Sequence, residues 1–254
     1  MDPNLAIGAG SLLATVVGTV AAVVAVRRQG DSRSIHIVGA VDSRPALRVL
    51  RRRGTGSKSK DAAIRVLAKF VFVSHEGRVV VGALDQFDIT LFLDLFSAAT
   101  VLVYRRVLAR VVVDQIRGTR FHETPTHIAV PKEGNVLLAA EVARQLKLPI
   151  LVVRAIVPAI RFGDPVEGPI AASACVIVVD DIASDGELLV RTVAALRAHG
   201  ARVANCFCAV ERMDGNSRER LLQRNVSLHA SIQLDEGTLR ELADLPPEDA
   251  QLQD

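Results

Sequence analysis

From residue 127 to 243 the chain alternates short aliphatic runs with segments of helical period, and that order leaves few architectures open. His127–Pro131, Pro149–Arg154, Cys175–Asp180, Ala201–Val210 and Val226–Gln233 read as strands. Asn135–Leu146, Gly186–His199, Ser217–Arg224 and Thr238–Ala243 carry helical spacing between and after them. Strand and helix in strict turn require right-handed crossovers, so the expected class is α/β, a parallel sheet flanked by helices on both faces. Composition agrees: half of the 254 residues are apolar, with one tyrosine and no tryptophan. A core of Val, Leu, Ile and Ala suits strands buried on both faces. In such a sheet, chemistry gathers at the carboxyl ends of the strands.

Upstream, residues 61–70 read as a helix. Phe70–Ser74 and Arg78–Gly82 read as a hairpin turning at His75–Gly77, and 89–117 as one long helix broken at Gly118. The polar stretch Gly54–Lys60 reads as a linker, and 155–172 as a Gly/Pro-punctuated loop. Leu5–Val26 is 22 residues without a charge, closed by Arg27 and Arg28. At ~1.5 Å per residue it spans a hydrocarbon core of ~30 Å. The flanking charge lies wholly on its C-terminal side, which predicts a single-pass membrane protein with its N-terminus outside and its body in the cytoplasm. A cleaved signal peptide or a buried core helix are the competing readings. Ala14, Gly18 and Ala22 form a small-residue stripe that allows close helix pairing, hence a homodimer. The expected organisation is an anchor over 1–28, a basic juxtamembrane segment and linker over 29–60, and one domain over 61–254.

Charge is distributed unevenly. Residues 27–60 carry ten Lys/Arg against Asp31 and Asp42, while 61–254 carry 21 basic and 25 acidic residues. A mildly acidic body argues against nucleic acid as a partner. Arg44, Arg48 and Arg51–Arg53 suit either contact with anionic lipid or a solvated helix face. Cys175, Cys206 and Cys208 lie in aliphatic runs and read as reduced, buried thiols. His122, Glu123 and His127 have the wrong spacing for a zinc helix, with Pro125 between them. No metal ligands are assigned.

The stretch most informative about function is Cys175–Leu189, in which an aliphatic strand runs into Asp180 and Asp181, then a turn with Gly186, then a helix. Adjacent carboxylates at a strand end suit a vicinal diol, because each accepts hydrogen bonds well. A turn opening a helix presents free N–H groups to a phosphate. Diol and phosphate together describe a ribose 5-phosphate. Two other readings stay open: the acids cap the helix, or the domain is a receiver. The second lacks its acceptor aspartate in Val226–Gln233 and any lysine beyond residue 180.

The stretch resembles the phosphoribosyl-diphosphate (PRPP) signature of type I phosphoribosyltransferases, nearest to the orotate phosphoribosyltransferase-like branch. The resemblance implies that Asp180 and Asp181 take ribose hydroxyls and that Ser184, Asp185, Gly186 and Glu187 form the 5′-phosphate loop. Val130–Asn135 is similar to the family's pyrophosphate loop, carried by Lys132, Glu133 and Gly134. Arg154 and Arg161 fall at its flexible loop, and Phe70–Gly82 at its small N-terminal hood. The implied ligand is PRPP or another phosphoribosyl or nucleotide-like small molecule, with Mg²⁺ as cofactor if the protein is active. This chain departs from the pattern by placing Asp185 and Glu187 in the phosphate loop and no lysine in 155–172. Two functions follow: ligand binding without catalysis, or Mg²⁺-dependent transfer of a nitrogen base to PRPP.

Overall fold

A computed structural model describes residues 57–73, 79–81, 87–89, 91–155 and 163–243. The expected anchor, the arginine cluster at 44–53, the turn at 75–77 and Arg161 lie outside the described residues. Among the described residues no helix is long and apolar enough to cross a membrane.

The domain is built on a six-stranded sheet. Its strands are β5 (His127–Pro131), β6 (Ile150–Val153), β7 (Val166–Glu167), β8 (Cys175–Ala183), β9 (Arg202–Arg212) and β10 (Ser227–Leu234), in the order β10-β9-β8-β5-β6-β7. All neighbours are parallel except β6 and β7. The expected parallel sheet is therefore present. The two-residue β7 is an addition, since the loop reading of 155–172 held no strand.

Side chains alternate between two cores, as the period of a strand requires. Ile177, Val179, Phe207, Ala209 and Ile232 pack on one face, and Val176, Val178, Cys206, Cys208 and Leu228 on the other. The first face is covered by α1 (Lys58–Ala68), α3 (Leu102–Gly118), α4 (Val136–Leu146) and α7 (Glu236–Ala243). The second is covered by α5 (Glu187–Ala198) and, through Leu221, α6 (Ser217–Leu222). Cys206 and Cys208 are buried free thiols, which burial pushes well above the ordinary thiol range. Cys175 is free and only partly buried.

The N-terminal part differs from the sequence reading in three places. The linker ends early, because Lys58 already opens α1 and buries Ile64 and Leu67. The hairpin pairs differently: β1 (Val71–Val73) joins β4 (Leu91–Leu93), and β2 (Val79–Val81) joins β3 (Phe87–Ile89), both antiparallel. The long helix from 89 is divided. Asp94 follows β4 and caps α2 (Leu95–Thr100), accepting from the Ser97 amide at 2.8 Å and the Ser97 hydroxyl at 2.6 Å. Val101 then adopts an extended conformation before α3 begins. An N-cap carboxylate inside an aliphatic run outweighs the helical period around it.

Candidate functional site

The site is assembled where β5 and β8 end side by side. After Pro131 the chain turns, the Gly134 amide donating to the Pro131 carbonyl at 3.0 Å, and Asn135 caps α4 by accepting from the Leu138 amide at 3.0 Å. Gly134 is forced by closeness: a Cβ there would stand 2.4 Å from Asp180 Oδ1. Lys132 and Glu133 are exposed on the same turn.

Asn135 is the link between this turn and the acid pair. Its side-chain amide donates to Asp181 Oδ2 at 2.9 Å and to the Leu95 carbonyl at 3.0 Å. Its backbone amide donates to Asp180 Oδ1 at 3.4 Å. The Asp181 amide also donates to Asp180 Oδ1 at 3.0 Å, and the Ile182 amide to Asp181 Oδ1 at 2.7 Å. The two carboxylates are thus held in fixed orientations by four donors. Burial, and then the charge of Asp181, push Asp180 well above the ordinary carboxylate range. Burial also raises Asp181, against the opposing pull of the Asn135 hydrogen bond.

The turn Ser184–Glu187 follows β8 directly. Gly186 has φ +79°, a left-handed conformation, and a Cβ there would meet Ser217 Cα at 2.7 Å. Gly215 is equally confined, since its Cβ would lie 2.0 Å from the Ser184 carbonyl oxygen. The Ser217 amide donates to that same carbonyl at 3.1 Å. Two turns, 184–187 and 215–217, are therefore interlocked.

The two acids of the 184–187 turn behave differently. Asp185 Oδ1 accepts from the Glu187 amide at 3.2 Å, so it occupies one N–H of the helix start. Glu187 turns instead toward two arginines, accepting from Arg191 Nε and from Arg220 Nη1, each at 2.8 Å. The Arg191 hydrogen bond, joined by the charges of Arg191 and Arg220, lowers the Glu187 carboxyl below its usual range.

Arg154, expected at the flexible loop, directly follows β6 and is engaged at the sheet edge. Its Nη2 donates to the Asp164 carbonyl at 2.7 Å, and its Nε stands 3.2 Å from Glu167 Oε1. It is not brought to the acid pair by any of these contacts. Asn135, Arg191 and Arg220 are the residues that sequence reasoning left without a role. Asn135 opened the expected helix 135–146, but its hold on an aspartate 46 positions away was not visible in the sequence. Among the described residues, no group of three or more His, Cys, Asp or Glu side chains could hold a metal ion.

This arrangement defines a parallel α/β domain with a paired-acid, helix-opening site at its strand ends. A profile of the phosphoribosyl transferase domain matches residues 107–234. The chain belongs to the phosphoribosyltransferase family. It is 30% identical over 118 residues to the orotate phosphoribosyltransferase of Cenarchaeum symbiosum, a match covering 46% of this chain and 56% of that protein. The crystal structure of orotate phosphoribosyltransferase from Aeropyrum pernix shares the fold with a TM-score of 0.55 at 21% identity, covering 71% of this chain and 98% of the other. The orotate phosphoribosyltransferase of Mycobacterium tuberculosis in complex with PRPP gives a TM-score of 0.53 at 16% identity, over 72% and 99% of the two chains.

Proposed function

We propose that this protein binds PRPP or a nucleotide-like ligand through Asp180 and Asp181, with the ribose hydroxyls on the acid pair and the 5′-phosphate over Ser184–Glu187. The observation that carries this reading is the Asn135 clamp, which fixes both carboxylates beside the opening of α5. An acid favoured in its neutral form beside one that accepts a side-chain amide suits a diol, whose hydroxyls both donate and accept. Lys132, Glu133 and Gly134 then face the pyrophosphate, whereas Arg154 is engaged by Asp164 and Glu167 away from the acid pair.

Catalysis is a second reading, favoured by the ion pairs that take up the charge of Glu187. Mg²⁺ would serve such a reaction by entering with the diphosphate, since that ion is commonly held by one or two carboxylates plus substrate phosphates. The residues at hand fit that use and not a closed protein cage. The similarity to the orotate phosphoribosyltransferase of Cenarchaeum symbiosum makes orotate the first base to offer. The protein is further proposed to be single-pass and membrane-anchored through Leu5–Val26, with its domain in the cytoplasm and close helix pairing supporting a homodimer.

Calorimetric titration of the full chain with PRPP and Mg²⁺ tests the central reading. Each charge-assisted hydrogen bond contributes ~1.5–3 kcal/mol, so Asp180→Asn with Asp181→Asn should weaken binding by at least about 100-fold. Unchanged affinity in a folded double variant, or no binding by the unaltered chain, would contradict it.

A further inference from the structure

Glu187 stands at the first position of α5, where backbone partial positive charge favours an anion. A carboxylate projecting over that position would compete with an incoming phosphate. The side chain instead bends away, its two oxygens divided between two guanidinium groups. Arg191 comes from one turn further along α5, whereas Arg220 comes from α6. The second partner is the informative one, because nothing within α5 requires it.

The delivery of Arg220 rests on backbone contacts that leave little freedom. The Ser217 amide is bound to the Ser184 carbonyl, Gly215 lies against Ser184, and Gly186 lies against Ser217. Since α6 starts at Ser217, Arg220 sits one turn into it. The same interlock that shapes the 184–187 turn therefore sets the distance from Arg220 to Glu187. Arg220 remains 40% exposed, so it is not recruited to stabilise a buried charge. An exposed pair of this kind contributes little to folding.

We propose that Arg220, assisted by Arg191, is a positioning residue for the phosphate loop: it holds Glu187 out of the anion position and neutralises it, which lets a loop containing two acids accept a phosphorylated ligand. The proposal rests on the phosphoribosyl reading above. It makes the function of Arg220 conditional. Arg220 matters for binding only while residue 187 carries a negative charge, and it does not itself touch the phosphate.

A double-variant cycle in the full chain separates these roles, with PRPP and Mg²⁺ as the calorimetric probe. Arg220→Ala should weaken PRPP binding about tenfold, the scale of one like-charge contact of ~1.4 kcal/mol. Glu187→Gln should bind at least as well as the unaltered chain. Adding Arg220→Ala to Glu187→Gln should change affinity less than about twofold. Circular dichroism and thermal unfolding of each variant report whether the domain is intact. A tenfold loss from Arg220→Ala in both backgrounds would overturn the proposal, because the arginine would then contact the ligand or support the fold directly. No loss in either background would overturn it as well. If neither the unaltered chain nor Glu187→Gln binds PRPP, the phosphoribosyl reading itself fails and takes this role with it. That outcome is distinguished by the absence of any heat with ligand, not by a missing difference between variants.

Discussion

Burial and a neighbouring charge both favour the neutral form of Asp180, which is only 4% exposed. The linkage sign follows from proton counts. With its folded pKa above the unfolded value of ~3.9, the native state holds more protons than the unfolded chain across the interval between them. Stability contributed by this group is therefore full at low pH and falls as pH rises from about 4 toward the raised folded value. Asp180→Asn abolishes that loss while keeping an oxygen to accept from the Asp181 and Asn135 amides. The variant should unfold at a higher temperature than the unaltered protein at pH 7, by ~2–4 °C for a gain on the order of 1 kcal/mol, and the difference should shrink near pH 3. Thermal unfolding at the two pH values measures it. A lower midpoint at pH 7 would mean that the buried carboxyl is stabilising. A higher midpoint would show that the buried carboxyl is held at some cost to the fold.

At the scale of elements, legibility in the sequence tracked the length and repetition of the pattern. Apart from the two-residue β7, the strands and helices from 127 onward are each within a few residues of their expected bounds, because a buried parallel strand leaves an unbroken aliphatic run. The segment 89–118 misled for a physical reason. Its aliphatic content fits a helix throughout, yet Leu91–Leu93 pairs with Val71–Val73, a partner 20 positions earlier that no local period reveals. Strand pairing depends on distant residues, whereas helical period does not. Leu5–Val26 has the strongest pattern of all, 22 residues with no charge. Extraction of native membranes at alkaline pH should leave the full chain in the pellet and release a chain lacking residues 1–30 to the supernatant. Release of the full chain by alkaline extraction would exclude a spanning segment, since no other is expected from the sequence.

The molecule as a whole combines a basic leading segment with a mildly acidic α/β domain, and its candidate site lies at one end of the sheet. The acid pair, the turn after it and the Lys132–Gly134 turn were legible because each is a short motif in or just after the last residues of a strand. What was not legible was how distant motifs touch: Gly134 under Asp180, Asn135 across to Asp181, and Gly215 against Ser184. Those contacts also change the reading of the phosphate loop. The two carboxylates that depart from the family pattern are engaged differently, Glu187 by Arg191 and Arg220 and Asp185 by a loop amide. The most direct measurement is a crystal structure of the protein with PRPP and Mg²⁺. The 2′- and 3′-hydroxyls should lie within ~3 Å of the Asp180 and Asp181 carboxylates, and the 5′-phosphate on the amides of the 184–187 turn that Asp185 does not occupy, with Glu187 still paired to Arg220. PRPP bound elsewhere, or at this site with its ribose away from both acids, would contradict this reading.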